Sequence, residues 1–210
     1  MMRIGVDLDN TIVCYDGLFH RLAIERGLIP PQLPPHKRAV RDYLRSRGQE
    51  SLWTELQGVA YGSRIGEAVP FPGVQDFFAQ CRRTQTDVLV ISHRTRFPFI
   101  GEAVDLHLAA RQWIDQNRLL DCSRERQAEE RVFLELTREA KIGRVADLRC
   151  DCFIDDLPEL LTDKAFPRRV ARILFDPQSE HADHPAYRRA ASWSEISHFL
   201  FGDIQTAGRR

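Results

Sequence analysis

Arg3-Ile4-Gly5-Val6-Asp7-Leu8-Asp9-Asn10-Thr11 decides how this chain folds. A brief apolar run, bounded by a glycine and by polar residues, predicts a short strand that ends at the first acid. Side chains at i and i+2 of an extended segment point the same way, so Asp7 and Asp9 are expected to project together from one strand end. Two carboxylates that close cannot both stay ionised cheaply; one takes a proton, or a cation sits between them. This is the starting arrangement for an acid/base pair, a metal site, or both. In open α/β sheets, ligands bind at the carboxyl ends of the strands.

Four further apolar runs follow: Val88-Leu89-Val90-Ile91, Arg131-Val132-Phe133-Leu134-Glu135-Leu136, Cys152-Phe153-Ile154 and Val170-Ala171-Arg172-Ile173-Leu174-Phe175. Most are continuous rather than alternating, as expected of strands covered on both faces. Helical patterns lie between them. The expected fold class is therefore α/β: a three-layer, Rossmann-like parallel sheet of five main strands.

Helices are expected at about Tyr15–Arg26, stopped by Gly27, and at about Lys37–Arg47, with Val40, Tyr43 and Leu44 on one face and Gly48 ending it. Others are expected at about Ser51–Ala60 (Leu52, Trp53, Leu56, Val59), through Phe77, Phe78 and Cys81, within a polar-rich helical stretch from Arg96 to Glu130 (Ala103–Asn117 with Val104, Leu108 and Trp113), and at about Trp193–Phe201. Pro30-Pro31-Gln32-Leu33-Pro34-Pro35 breaks regular structure. Residues 30–70 thus read as a small α-helical insert in a core made of 1–29 and 71–210. Residues Pro177 to Pro185 read as a loop.

Composition narrows the possible partners. Thirty basic residues balance thirty acidic ones in 210, which gives no reason to expect nucleic acid or an anionic membrane. No apolar run approaches the roughly 18–20 residues of a membrane span, and the N-terminus does not read as a signal peptide. Five scattered cysteines argue against a disulfide framework and for a cytoplasmic location. Cys150-Asp151-Cys152 lacks the two-residue spacer of a zinc or redox motif, so the cysteines read as plain buried or half-buried side chains.

Polar residues cluster where the predicted strands end: Asp7 and Asp9, then Ser92-His93-Arg94-Thr95, then Asp155-Asp156, with Lys141 on the preceding helix. In a parallel sheet these ends open onto one crevice. An aspartate that attacks phosphorus needs a second acid to move protons, a hydroxyl and a cation to hold the phosphoryl oxygens, and a divalent metal to offset charge. Each type is present.

These residues resemble the haloacid dehalogenase-like superfamily in its phosphatase branch. Asp7-x-Asp9-x-Thr11 looks like its first motif, Ser92 its second, Lys141 its third and Asp155-Asp156 its fourth. The insert matches the position of the family's first cap type, and Ser192-Trp193-Ser194-Glu195-Ile196 resembles its closing helix. The resemblance implies a Mg²⁺-dependent phosphatase acting on a small phosphorylated metabolite, a sugar phosphate or a nucleotide. Asp7 would be the nucleophile and form an aspartyl-phosphate. Asp9 would protonate the leaving oxygen and then activate water. Mg²⁺ would be held by Asp7, the Asp9 carbonyl and Asp155 or Asp156. Lys141 would neutralise charge, with Arg138 and Arg144 as alternative cations. Ser92 would bind phosphate, with Thr11, His93 and Arg94 as further contacts, and the cap would close over the phosphate and select the leaving group. Asp9 favours phosphorus chemistry over dehalogenation, which needs no proton donor there. Asn10 replaces the commoner glycine but tolerates the same turn angles.

Alternatives are a phosphotransferase or mutase and a catalytically silent binding module. The cationic helix residues Lys37, Arg38, Arg41, Arg45 and Arg47 read as a solvated face with a possible role toward a remote anion. Gln57, Tyr61 and Arg64 are open to a crevice-facing role. His181-Ala182-Asp183-His184 has the look of a metal pair but lies in a loop, and Trp193, Ile196, Phe199 and Leu200 read as core. The substrate and the oligomeric state are not legible.

Overall fold

Ile4, Gly5 and Val6 do form a strand, β1 (Arg3–Val6), and it lies in the middle of a sheet. The structure, a computed structural model, describes residues 1–120 and 131–202. The chain divides into two compact units: Met1–Ile12, Phe71–His93 and the chain from Leu119 onward in the first, and Val13–Pro70 with Arg94–Arg118 in the second.

The first unit carries β1, β4 (Asp87–His93), β5 (Val132–Glu135), β6 (Cys152–Asp155), β7 (Ala171–Phe175) and β8 (Arg188–Ala190) in the order β5-β4-β1-β6-β7-β8. Every pairing is parallel. The five expected strands are all present. The sixth, β8, has the sequence Arg-Arg-Ala, which offers no apolar run to read. Among the described residues it pairs only with β7, and an edge strand tolerates charges that a central one does not.

Helices cover both faces of this sheet. Leu89, Ile91, Phe153 and Leu174 on one face pack with Ile142 and Val145 of α6 (Arg138–Asp147) and Leu160 and Leu161 of α7 (Pro158–Leu161). The other face meets α4 (Val74–Arg83) and α8 (Trp193–Phe201). There Phe175, which follows Leu174 and so points the opposite way, lies 5.8 Å from Trp193, and Trp193 lies 4.8 Å from Phe77. Trp193, Ile196 and Phe201 are the buried residues of α8, so Phe201 takes the place expected of Phe199 and Leu200.

Gly5 is required where β1 passes Phe153. A Cβ there would stand 2.6 Å from Phe153 Cδ2 and 3.1 Å from Cys150 Sγ, both in the packed core. Gly5→Ala is expected to cost about 1–3 kcal/mol through overpacking. A urea titration checks it; a midpoint equal to that of the natural chain would show that Phe153 yields freely.

The second unit contains β2 (Val13–Cys14), α1 (Asp16–Glu25), α2 (Lys37–Ser46), α3 (Glu50–Tyr61), a short 3₁₀ turn (Ile65–Glu67), β3 (Val69–Pro70) and α5 (Leu106–Gln116). Gly27 and Gly48 end α1 and α2 at φ of 63° and 70°, the left-handed geometry expected of helix stops. The insert read at 30–70 falls within this unit, which also takes in α1 and α5. The reason is packing: Phe19 of α1 stacks on Trp53 of α3 at 4.8 Å, and Trp113 of α5 donates its indole N–H to the Ala68 carbonyl at 3.0 Å. The two-residue strands β2 and β3 pair antiparallel where the chain enters and leaves this segment, too short for the sequence to signal.

Residues 96–105 are not helical, against expectation. Pro98 and Gly101 interrupt the segment, and α5 starts only after Asp105, whose carboxylate accepts from the His107 and Leu108 amides. Its buried side chains are Leu106, Ala109, Ala110, Trp113 and Ile114, while Leu108 is exposed, so the stripe is rotated from the one expected. Residues 121–130 of that expected helical stretch, and with them Cys122, lie outside the described residues. Among the described residues no helix is long and apolar enough to cross a membrane.

Candidate active site

Register brings the acids together. Val6 of β1 pairs with Ile154 of β6, so Asp7 and Asp155 each stand one residue beyond the same pair, on strands about 4.8 Å apart. The Asp7 amide continues the ladder to the Ile154 carbonyl at 2.9 Å. On the other side Val6 pairs with Val90 of β4, and Ser92 lies two residues further on. Four groups from four elements then meet. Lys141 Nζ, from α6, donates to Asp7 Oδ1 and to Asp155 Oδ2, at 2.6 Å each. Ser92 Oγ donates to the same Asp7 Oδ1 at 2.9 Å.

Burial sets the electrostatics of this cluster. Asp7, Ser92, Lys141 and Asp155 are all buried. Burial by itself disfavours the Lys141 ammonium, but Asp155 and Asp7 outweigh it, and the pKa ends above that of an ordinary lysine. For Asp155 burial is the larger influence and raises the carboxyl above the usual carboxylate range; Lys141 draws it down and Asp7 pushes it up again. Of the three cations open to this role, Lys141 reaches Asp7. Arg138 instead donates to Asp163 and the Glu159 carbonyl, and Arg144 to Glu135.

Asp156 completes the cluster. Single oxygens of Asp7, Asp155 and Asp156 lie within 4.8 Å of one another, and among the described residues these three form the group able to hold a metal ion. The donors are all oxygen, which suits a hard divalent cation such as Mg²⁺. Three carboxylates against the one Lys141 ammonium leave formal negative charge for it to balance. The two neighbouring acids differ in surroundings. Asp155 has both oxygens engaged, Oδ2 with Lys141 and Oδ1 with the Leu157 amide at 2.9 Å, whereas the half-buried Asp156 accepts from Thr11 Oγ1 at 3.4 Å.

The Asp9 carboxylate does not join the metal-holding group. The strand ends at Val6, and the chain then turns, with the Ile12 amide bonding to the Leu8 carbonyl and Asn10 at φ 60°. The i, i+2 argument for a strand therefore stops short of Asp9. Asn10 takes the left-handed geometry anticipated for it.

Other candidates fall elsewhere. His93 is exposed, with Nε2 3.2 Å from the Leu136 carbonyl. Arg94 belongs to the second unit. It is buried there, with Nη1 donating to the Tyr61 and Leu106 carbonyls and Nη2 to the Tyr15 hydroxyl at 2.9 Å. In the same unit Arg41 pairs with Asp42, Arg45 with Glu50, and Arg64 with Glu25 and Glu67, while Lys37 Nζ stands 5.4 Å from the centre of the Tyr61 ring. His184 Nδ1 accepts from the Ala186 amide, and Asp183 faces Arg189. Cys81, Cys150 and Cys152 are free and buried, and burial pushes their thiols up to about 12, 11 and 12, so none is a thiolate at neutral pH.

Sequence reasoning missed one group at the site. Trp193, read as core, donates its indole N–H to the Thr11 carbonyl at 3.1 Å. The cue available was Ser192-Trp193-Ser194-Glu195, a capping-box spacing that fixes where the tryptophan sits.

The parallel sheet, with an acid after its central strand, a hydroxyl at the end of the strand on one side and paired acids at the end of the strand on the other, shares its fold with haloacid dehalogenase-like hydrolases of known structure. No protein-family model matches the sequence, and no curated protein does. Solved structures do. A haloacid dehalogenase-like family hydrolase from Xanthomonas campestris superimposes with a TM-score of 0.55 at 12% identity, over 100% of this chain and 99% of that one. The HAD-hydrolase YfnB from Bacillus subtilis, bound to magnesium, gives 0.54 at 12% identity over 95% and 98%. A HAD family hydrolase from Deinococcus radiodurans R1 with bound phosphate and sodium gives 0.53 at 15% identity over 95% of each.

Proposed function

We propose that this protein is a Mg²⁺-dependent hydrolase of small phosphate monoesters, a sugar phosphate or a nucleotide, that works through a phosphoryl group carried on Asp7. The observation that carries the reading is the state of the Asp7 carboxylate. Ser92 and Lys141 both hold Oδ1, which orients the group and leaves Oδ2 to attack. The neighbours that carry magnesium and phosphate support the same chemistry.

In the first half-reaction an Asp7 oxygen bonds to phosphorus and the bond from phosphorus to the leaving oxygen breaks. Asp9, as the carboxylic acid, gives that oxygen its proton. In the second, Asp9 takes a proton from water, the water oxygen bonds to phosphorus, and the bond to Asp7 breaks. Phosphate leaves and both acids return to their starting state. Lys141 and the Ser92 hydroxyl offset the charge that gathers on the phosphoryl oxygens. Asp7, the Asp9 carbonyl and Asp156 would hold the cation, which supplies further charge neutralisation when bound. Asp155 acts one step back, as the anchor of Lys141. His93 and Arg94 receive no step.

A panel of sugar phosphates and nucleotides with Mg²⁺, read by phosphate release, tests this. Turnover is expected on at least one, lost in EDTA and restored by Mg²⁺. Release from none, or release indifferent to EDTA, overturns the reading. An isomerised sugar phosphate without free phosphate would make the protein a mutase.

A further inference from the structure

We propose that Trp193 is a positioning residue for the cation site: its indole N–H holds the Thr11 carbonyl, and Thr11 steadies Asp156. The inference rests on the reading of Asp7, Asp155 and Asp156 as a divalent-cation site. All the residues involved belong to the first unit.

Ser192 caps α8 by accepting from the Glu195 amide, and Glu195 reaches back to the Ala191 amide at 2.7 Å. These reciprocal bonds fix the first turn, and Trp193 is its first residue. Phe77 and Phe175 flank the ring, and the side chain is fully buried. A buried indole N–H needs an acceptor, and here it has the carbonyl of a catalytic-loop residue 182 positions away in the chain.

Thr11 links that bond to the acids. Its side chain is fully buried, its hydroxyl donates to Asp156 Oδ1, and its carbonyl accepts from Trp193. The next residue is tied as well, with the Phe71 amide donating to the Ile12 carbonyl at 2.9 Å. Of the three acids, Asp155 is locked by Lys141 and a main-chain amide, and Asp7 by Lys141 and Ser92. Asp156 is the most exposed of the group, and the Thr11 hydroxyl is one of the groups that place it. Groups that orient metal-binding carboxylates typically change metal affinity about 10–100-fold when removed.

Trp193→Phe keeps an aromatic ring and removes the N–H. Mg²⁺ binding to the full chain, followed by calorimetry without substrate, is the measurement. The dissociation constant is expected to rise roughly tenfold. Thr11→Val, which removes the hydroxyl at nearly constant shape, should weaken binding similarly. The double variant should be no worse than the weaker single, since both act on one path. Phe77→Leu, a packing neighbour that makes none of these bonds, should lower the melting temperature and leave Mg²⁺ affinity unchanged. Undiminished binding by Trp193→Phe, or losses that multiply in the double variant, overturns the inference. If the natural chain takes up no Mg²⁺ at all, the cation site itself is refuted and this inference goes with it.

Discussion

Asp7→Asn is expected to abolish phosphate release while leaving the chain folded. The amide cannot attack phosphorus, and removal of an enzyme's nucleophile typically lowers kcat on the order of 10⁴–10⁶. Folding should survive, because Asn keeps the shape and an acceptor oxygen for Ser92 and Lys141, whose bonds both fall on Oδ1. The variant also loses one of two buried negative charges beside Lys141, and the other, Asp155, still pairs with it. Phosphate release at a near-natural rate by a well-folded Asp7→Asn protein would refute the nucleophile assignment. Asp9→Asn separates the two acids. Its loss should be smaller, about 10²–10⁴, and smallest for an aryl phosphate whose leaving oxygen needs no proton. With that substrate the second half-reaction stays impaired, so the phosphorylated protein should accumulate and show in intact mass.

Lys141→Met is expected to lower stability by about 3–5 kcal/mol at neutral pH in EDTA, as breaking a buried pair on one side usually does. Lys141 Nζ is bonded to two buried carboxylates, and a thioether replaces neither bond. The deficit should also depend on pH, with a definite sign. Burial holds the folded-state pKa of Asp155 above its ordinary 3.8. Such a group favours folding below its unfolded pKa, and that contribution is lost as pH rises through the folded value. Lys141 is what draws the Asp155 pKa down, so without it the folded value climbs and the loss extends to higher pH. The variant should therefore match the natural chain best in acid and fall furthest behind above both folded values. Urea titrations across pH in EDTA check this. A variant unfolded at neutral pH that refolds in acid meets the expectation; equal stability at pH 7 contradicts it.

The fold was legible where local physics and tertiary packing agree. β1, β4, β6 and β7 are short apolar runs buried on both faces, and α1, α2 and α3 have apolar stripes, the first two closed by glycine stops. Errors arose where packing overrides local pattern. Arg188-Arg189-Ala190 is a strand because β7 offers it an edge, and no apolar run marks it. Leu108 keeps the helical spacing yet faces out, since Ala109, Ala110 and Trp113 offer α5 a different buried face. At the site, Asp7, Ser92, Lys141 and the paired acids could be named because acids, a hydroxyl and a lysine fall in order at the predicted strand ends and on the helix between them. Arg94 could not be told from a ligand-binding arginine by its place after Ser92 and His93; its bonds to the Tyr61 and Leu106 carbonyls are contacts between distant segments.

By itself the sequence determined which groups are present and the order in which they arrive: an acid after the first strand, a hydroxyl after the second, a lysine on a helix, and two acids after the strand that follows. Only the tertiary structure decided which of them meet. The register of Val6 with Ile154 and Val90 sets Asp7 beside Asp155 and within reach of Ser92, and the packing of α6 on the sheet brings Lys141 rather than Arg138 or Arg144 to both acids. The packing of α8 on the opposite face of the sheet gave Trp193 its bond to Thr11. Hydrogen bonds hold over about 3 Å, and such distances between residues far apart in the chain exist only once the sheet has formed.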